Sequence, residues 1–152
     1  MKNKWIKQLK ESHQRLLKAF TFTPDKGKIA GDWTKKEIMA HIAGWYEEFD
    51  REVGGVAMIL KGQRPVSFRY SVDEYNRKSV AKRKNMSKSE ILDEIKKSHK
   101  QFIEMIEELD AKQITDCFGT NLRGKPINVL WIINESIHHD NNHAGELEKK
   151  FK

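Results

Sequence analysis

The chain has 152 residues, the length of one domain, and folding would bury roughly 68–70% of the surface that such a chain exposes when unfolded. Apolar residues make up 38% and charged residues 34%, which suits amphipathic helices, each hiding one stripe and showing a charged face. The net charge of +7 comes from 29 basic residues interleaved with 22 acids, so it reads as solubility; one cysteine excludes an internal disulfide or a multi-thiolate zinc site, and no apolar run is long enough to span a membrane.

The first helical pattern runs from about residue 3 to 21, with Trp5, Leu9, Leu16, Leu17 and Phe20 on one side. Thr23-Pro24-Asp25-Lys26-Gly27 closes it with turn chemistry. Thr34-Lys35-Lys36-Glu37 is a capping box, in which each side chain satisfies an orphan backbone N–H of the other. Behind it Ile38, His41, Ile42, Trp45, Phe49, Val53 and Val56 follow one face to about Leu60, with Gly54-Gly55 a weak point. Gly62-Gln63-Arg64-Pro65 reads as a loop. A short helix from Ser71 to about Arg83 carries Val72, Tyr75 and Val80, and its basic run, Arg77-Lys78 and Lys82-Arg83-Lys84, reads as a solvated face.

Ser87-Lys88-Ser89-Glu90 is a second capping box, opening a helix with Ile91, Ile95, Phe102, Ile106 and Leu109. Residues 110–125 read as a long connection holding Cys117, which is taken as a thiol without a role. Pro126 suits the first turn of the last helix, which bears Val129, Ile132, Ile133, Ser136, His139, His143 and Leu147. The expected fold is all-α: one domain over residues 1–152, a four-helix bundle of up-and-down type with a long crossing, plus a short extra helix.

Side chains four residues apart on a helix point within about 40° of each other. His139 and His143 can therefore present two imidazoles to one ion. A metal needs a third ligand, and His41, on the inward stripe beside Ile38, Ile42 and Trp45, is the candidate; the 98 residues between it and His139 leave their meeting open. Three imidazoles suit zinc, nickel or iron and leave a coordination position free. Glu135, one turn before His139, and Asp140 are candidates for a fourth ligand or an outer hydrogen-bond acceptor. His13 and His99 read as structural or exposed.

The stretch Asp32-Trp33-Thr34-Lys35-Lys36-Glu37-Ile38-Met39-Ala40-His41-Ile42-Ala43-Gly44-Trp45 resembles the opening signature of the DinB-like (YfiT-like) superfamily. Asp73-Glu74-Tyr75-Asn76 with the basic run after it resembles that family's middle region, and His139-x-x-x-His143 followed by Glu146 resembles its closing ligand pair. The resemblance spans about residues 5 to 149. It implies an up-and-down type bundle, often dimeric, with His41, His139 and His143 as metal ligands. Family members include damage-inducible proteins, metal-dependent hydrolases, and transferases or isomerases that use small thiols such as bacillithiol or mycothiol. A related branch, the colibactin self-protection and DUF1706-like proteins, shares the early His-x-x-x-Trp feature without the closing pair.

The resulting expectation is a cytoplasmic, divalent-metal-binding protein holding zinc or nickel. It would act on a small molecule in stress or detoxification, by hydrolysis or thiol transfer. The alternative is sequestration of a small molecule or metal without turnover. A homodimer is expected, with Trp5 or Trp131 as a seam, and neither nucleic acid nor membrane is an expected partner.

Overall fold

The four long apolar stripes become four long helices in the computed structural model, which describes residues 1–50, 60–62, 71–117, 119–120 and 126–151. They are α1 (Lys2–Phe22), α2 (Lys35–Asp50), α4 (Lys88–Glu108) and α6 (Val129–Glu148), with the shorter α3 (Val72–Lys82) between the second and third and α5 (Ala111–Thr115) after it. Residues 51–59, including Gly54-Gly55, Val53 and Val56, and the loop residues 63–70 lie outside the described part. Leu9, Leu16, Phe20, Ile38, Ile42, Ile91, Ile95 and Ile133 are buried in the core between the helices. Packing of these amphipathic faces, more than helix propensity, holds such helices in place.

Two helix starts follow the expected capping chemistry. Glu37 N–H donates to Thr34 Oγ1 at 3.3 Å, and Thr34 N–H donates to Glu37 Oε2 at 2.8 Å. Ser87 and Glu90 form the same reciprocal pair. A further box, Asp110 with Gln113, opens α5 inside the connection read as irregular. The last helix starts later than Pro126 suggested. Asn128 is its N-cap, accepting from Trp131 N–H at 2.8 Å, and Pro126 belongs to strand β4 (Pro126–Ile127), which pairs with β3 (Gly119–Thr120). A side chain that caps outweighs a ring that is merely tolerated in the first turn.

Between α1 and α2 lies another small hairpin, β1 (Lys28–Ala30) with β2 (Trp33–Thr34), reversing at Gly31, whose φ of 55° lies in the left-handed region. It brings Trp33 to the start of α2.

The long helices pair as α1 with α6 and α2 with α4. Across the seams between these pairs, α2 against α6 and α1 against α4, the helix backbones stand farther apart. On its other side α2 meets α3 closely. A Cβ on Gly44 would overlap Ser79 Cβ and Oγ, and Tyr75 Oη donates to the Gly44 carbonyl.

Arg83 corrects the reading of the basic run as a solvated face. It is 1% exposed, with Nη2 on Glu47 Oε2 at 2.8 Å and Nε on Glu94 Oε2 at 3.0 Å. Burial alone would weaken its charge; the Glu94 and Glu47 carboxylates outweigh that and raise its pKa. Its guanidinium joins α2, α3 and α4, while Val72, counted on the apolar side of α3, is exposed. Among the described residues no helix is long and apolar enough to cross a membrane. Trp5 is half-buried against the core, and Trp131 is 37% exposed.

Candidate metal centre

His41 sits in the second turn of α2, and His139 and His143 lie one turn apart on α6. All three face the α2–α6 seam. His41 Nε2 lies 2.8 Å from His139 Nε2, and His143 Nε2 lies 3.2 Å from that same atom. One nitrogen from each ring falls within 4.8 Å of the other two. Tetrahedral zinc, with bonds of about 2.0–2.1 Å, needs donor atoms about 3.3 Å apart, so the spacing approaches what an ion requires.

The outer nitrogens settle which lone pairs point inward. An indole N–H can only donate. Trp45 Nε1–H donates to Asn76 at 2.9 Å, so the atom it meets is the carbonyl Oδ1. His41 Nδ1 lies 2.9 Å from that same Oδ1 and must donate too. The proton of neutral His41 is therefore on Nδ1, and Nε2 offers a lone pair to the centre. A carboxylate can only accept: His143 Nδ1–H donates to Glu146 Oε2 at 2.8 Å, which frees His143 Nε2 in the same way. Among the described residues, no side chain bonds His139 Nδ1.

Protonation would defeat this arrangement. Burial first, then the neighbouring His143, pushes the His41 pKa from 6.5 down to about 4. Burial, with His143, His41 and His138 as further causes, holds His139 well below 6.5. Neutral imidazoles are the form that a metal takes. Trp33 packs on His41 with ring centroids 4.8 Å apart, and Trp45, which shares Asn76 with His41, packs on Tyr75 at 4.7 Å.

The other candidates are placed elsewhere. Glu135 is exposed on α6 and stands outside the cluster. Asp140 is buried, but its partner is Tyr46, whose hydroxyl donates to Oδ2 at 2.6 Å; among the described residues Oδ1 has no hydrogen-bond partner. Burial pushes the Asp140 carboxyl up to about 7 against the pull of that bond. Cys117 is exposed. His13 and His99 are both buried and stack with centroids 3.7 Å apart, their rings 3° from parallel, with Tyr46 edge-on to each. Parallel stacked rings do not aim two lone pairs at one point, so this pair is no second metal site.

Sequence reasoning assigned no role to Asn76, Glu146, Tyr46 or Trp33. Glu146 was within reach of a spacing argument, since it lies three residues after His143 on the same helix. Asn76 was not, because only the α2–α3 crossing brings it to His41.

Fold and site define a class: a four-helix bundle with three histidines converging between its second and last long helices. The chain belongs to the DinB superfamily, whose family model matches residues 6–147. Its fold is similar to that of a mycothiol-dependent maleylpyruvate isomerase, with a TM-score of 0.78 and 10% identity over 97% of this chain; the chain spans only 60% of that protein. It is similar to YfiT from Bacillus subtilis, described as a probable metal-dependent hydrolase with an unusual four-helix bundle topology, at TM-score 0.75 and 18% identity over 97% of this chain and 84% of that one. It is also similar to the colibactin self-resistance protein ClbS, solved with double-stranded DNA, at TM-score 0.67 and 15% identity over 97% and 94%. At these identities the likeness shows the fold. No curated protein matches the sequence.

Proposed function

We propose that this chain binds one divalent metal ion through Nε2 of His41, His139 and His143, and uses the remaining coordination position on a small molecule. The observation that carries the reading is the convergence of three Nε2 atoms, with hydrogen bonds donated from Nδ1 of His41 to Asn76 and of His143 to Glu146 leaving both rings with inward lone pairs. Inward lone pairs on neighbouring rings repel unless a cation or a proton lies between them, and burial disfavours the proton. Bound there, zinc or nickel supplies a Lewis acid that acidifies a water or a thiol and polarises an electrophile. The protein's own part is to hold the donor rings, fix their tautomers and present Trp33 beside the site.

Hydrolysis and thiol transfer are the two reactions such a centre supports. The fold-level likeness to a mycothiol-dependent isomerase and to YfiT points the same way. One feature favours binding without turnover: among the described residues, the carboxylate bonded to a triad ring is Glu146, and His143 already engages it. Among the described residues no free general base stands at the triad, so turnover would draw on one from the substrate or a thiol.

Natively purified protein is expected to carry about one zinc or nickel per chain, as a three-histidine site implies, and His139→Ala to carry none. Metal-free wild type by elemental analysis would end this reading. A screen with model esters, amides and thiol acceptors then separates turnover from sequestration.

A further inference from the structure

The three ligand histidines are not held alike. His41 has Asn76 on its outer nitrogen and His143 has Glu146, whereas His139 has no such partner among the described residues. Its Nε2 is nevertheless the hub, at 2.8 Å from one neighbour and 3.2 Å from the other. With no partner on its outer nitrogen among the described residues, His139 depends more than its two neighbours on the position of its backbone, and so on where α6 stands relative to α2. The two backbones stand farther apart along that seam than within the tight pairs, so side chains that reach across it set their separation.

One buried hydrogen bond crosses it away from the histidines. Tyr46 Oη on α2 donates to Asp140 Oδ2 on α6 at 2.6 Å, with Tyr46 2% and Asp140 1% exposed. Asp140 is the residue after His139, and Tyr46 lies on the same helix as His41. The Tyr46 ring is itself pinned, edge-on to both His13 and His99. A ring packed against the far seam thus reaches through the bundle and holds the side chain of the residue next to His139. A short hydrogen bond excluded from water tolerates little displacement, because a lost partner leaves a buried polar group unsatisfied. Burying a second, unpartnered oxygen on Asp140 is unfavourable, and an apolar residue would pack there at less cost if the position served only the core.

We infer that the Tyr46–Asp140 hydrogen bond is the positioning device for His139, doing through the helix backbone what Asn76 and Glu146 do through the rings of His41 and His143. The inference rests on the metal reading above. Tyr46 and Asp140 are positioning residues and touch neither ion nor substrate.

Cobalt(II) serves as the probe, because its visible absorption reports ligand geometry as well as occupancy. Tyr46→Phe keeps the ring against His13 and His99 and deletes only the donor. Asp140→Leu keeps bulk and deletes the acceptor. Both are expected to fold by circular dichroism and to bind cobalt about 10–100-fold more weakly with an altered spectrum, the range known for lost outer-sphere support. Asp140→Asn retains an acceptor for Tyr46 Oη and is expected to restore the wild-type spectrum. Ile95→Val, a core change away from the seam, is the control that lowers stability without moving the cobalt spectrum. The inference is overturned if either folded bond-deleting variant binds cobalt with wild-type affinity and spectrum, or if Asp140→Asn behaves like Asp140→Leu. Failure of wild type itself to bind cobalt would instead sink the metal reading.

Discussion

The Trp45 side chain has a single polar atom, a donor, and its consequences reach the candidate metal centre. The indole N–H fixes the orientation of the Asn76 amide, and that amide fixes the proton of His41. Asn76→Ala removes the acceptor from both rings at once. His41 can then carry its proton on Nε2, the atom that must be bare to bind metal. The expected result is about 10–100-fold weaker zinc binding in competition with a chromophoric chelator. Asn76→Asp keeps an acceptor and should stay near wild type; equal losses in the two variants would show that the amide matters for packing alone. The sequence disclosed this site unevenly. Helix spacing alone paired His139 with His143, and an inward stripe nominated His41. Asn76 was marked only as part of the family's middle region, and its link to His41 stayed hidden because their 35-residue separation is closed by tertiary structure and by no local period.

At the scale of elements, Gly44 decides whether α3 can deliver Asn76. The two helices approach so closely that a Cβ there would overlap both Cβ and Oγ of Ser79. Gly44→Ala is expected to cost about 1–3 kcal/mol in urea unfolding, the usual range for overpacking, and to weaken metal binding as α3 is displaced. Ser79→Ala should not rescue it, since the Ser79 Cβ remains in the way. Retained stability and metal affinity in Gly44→Ala would mean that the helices stand farther apart. Elements were legible where a local rule governs them, as at the Thr34–Glu37 and Ser87–Glu90 boxes. They were not where a distant group intervenes. Arg83 sits in a run that composition marks as solvent-facing, yet Glu47 and Glu94, one from each neighbouring helix, draw it inside. The β1–β2 and β3–β4 hairpins were missed because strands of two or three residues are too short to show alternation.

Over the whole molecule, the two tight helix pairs leave two seams, and imidazoles fill both. The α2–α6 seam holds the candidate metal centre, and the α1–α4 seam holds the His13–His99 stack. The stack makes the fold acid-sensitive. Burial, followed by His99 and Lys96, takes the His13 pKa from 6.5 to about 3. Burial also dominates at His99, taking it from 6.5 to about 4 although the Leu9 carbonyl favours its charged form. In the unfolded chain both rings protonate near their ordinary value, so the unfolded state binds more protons as pH falls below 6.5. The stability that depends on neutral rings is complete above 6.5 and is lost as pH falls toward about 4 at His99 and about 3 at His13. Each ring contributes a slope of up to about 1.4 kcal/mol per pH unit in that window. Urea unfolding of chelator-treated protein between about pH 7 and pH 5 should show this decline. His13→Phe keeps a ring against His99 and Tyr46 but cannot protonate, so its decline should be shallower than that of wild type. Parallel curves for the two proteins would mean that His13 is charged and solvated in the fold, and would refute the buried stack.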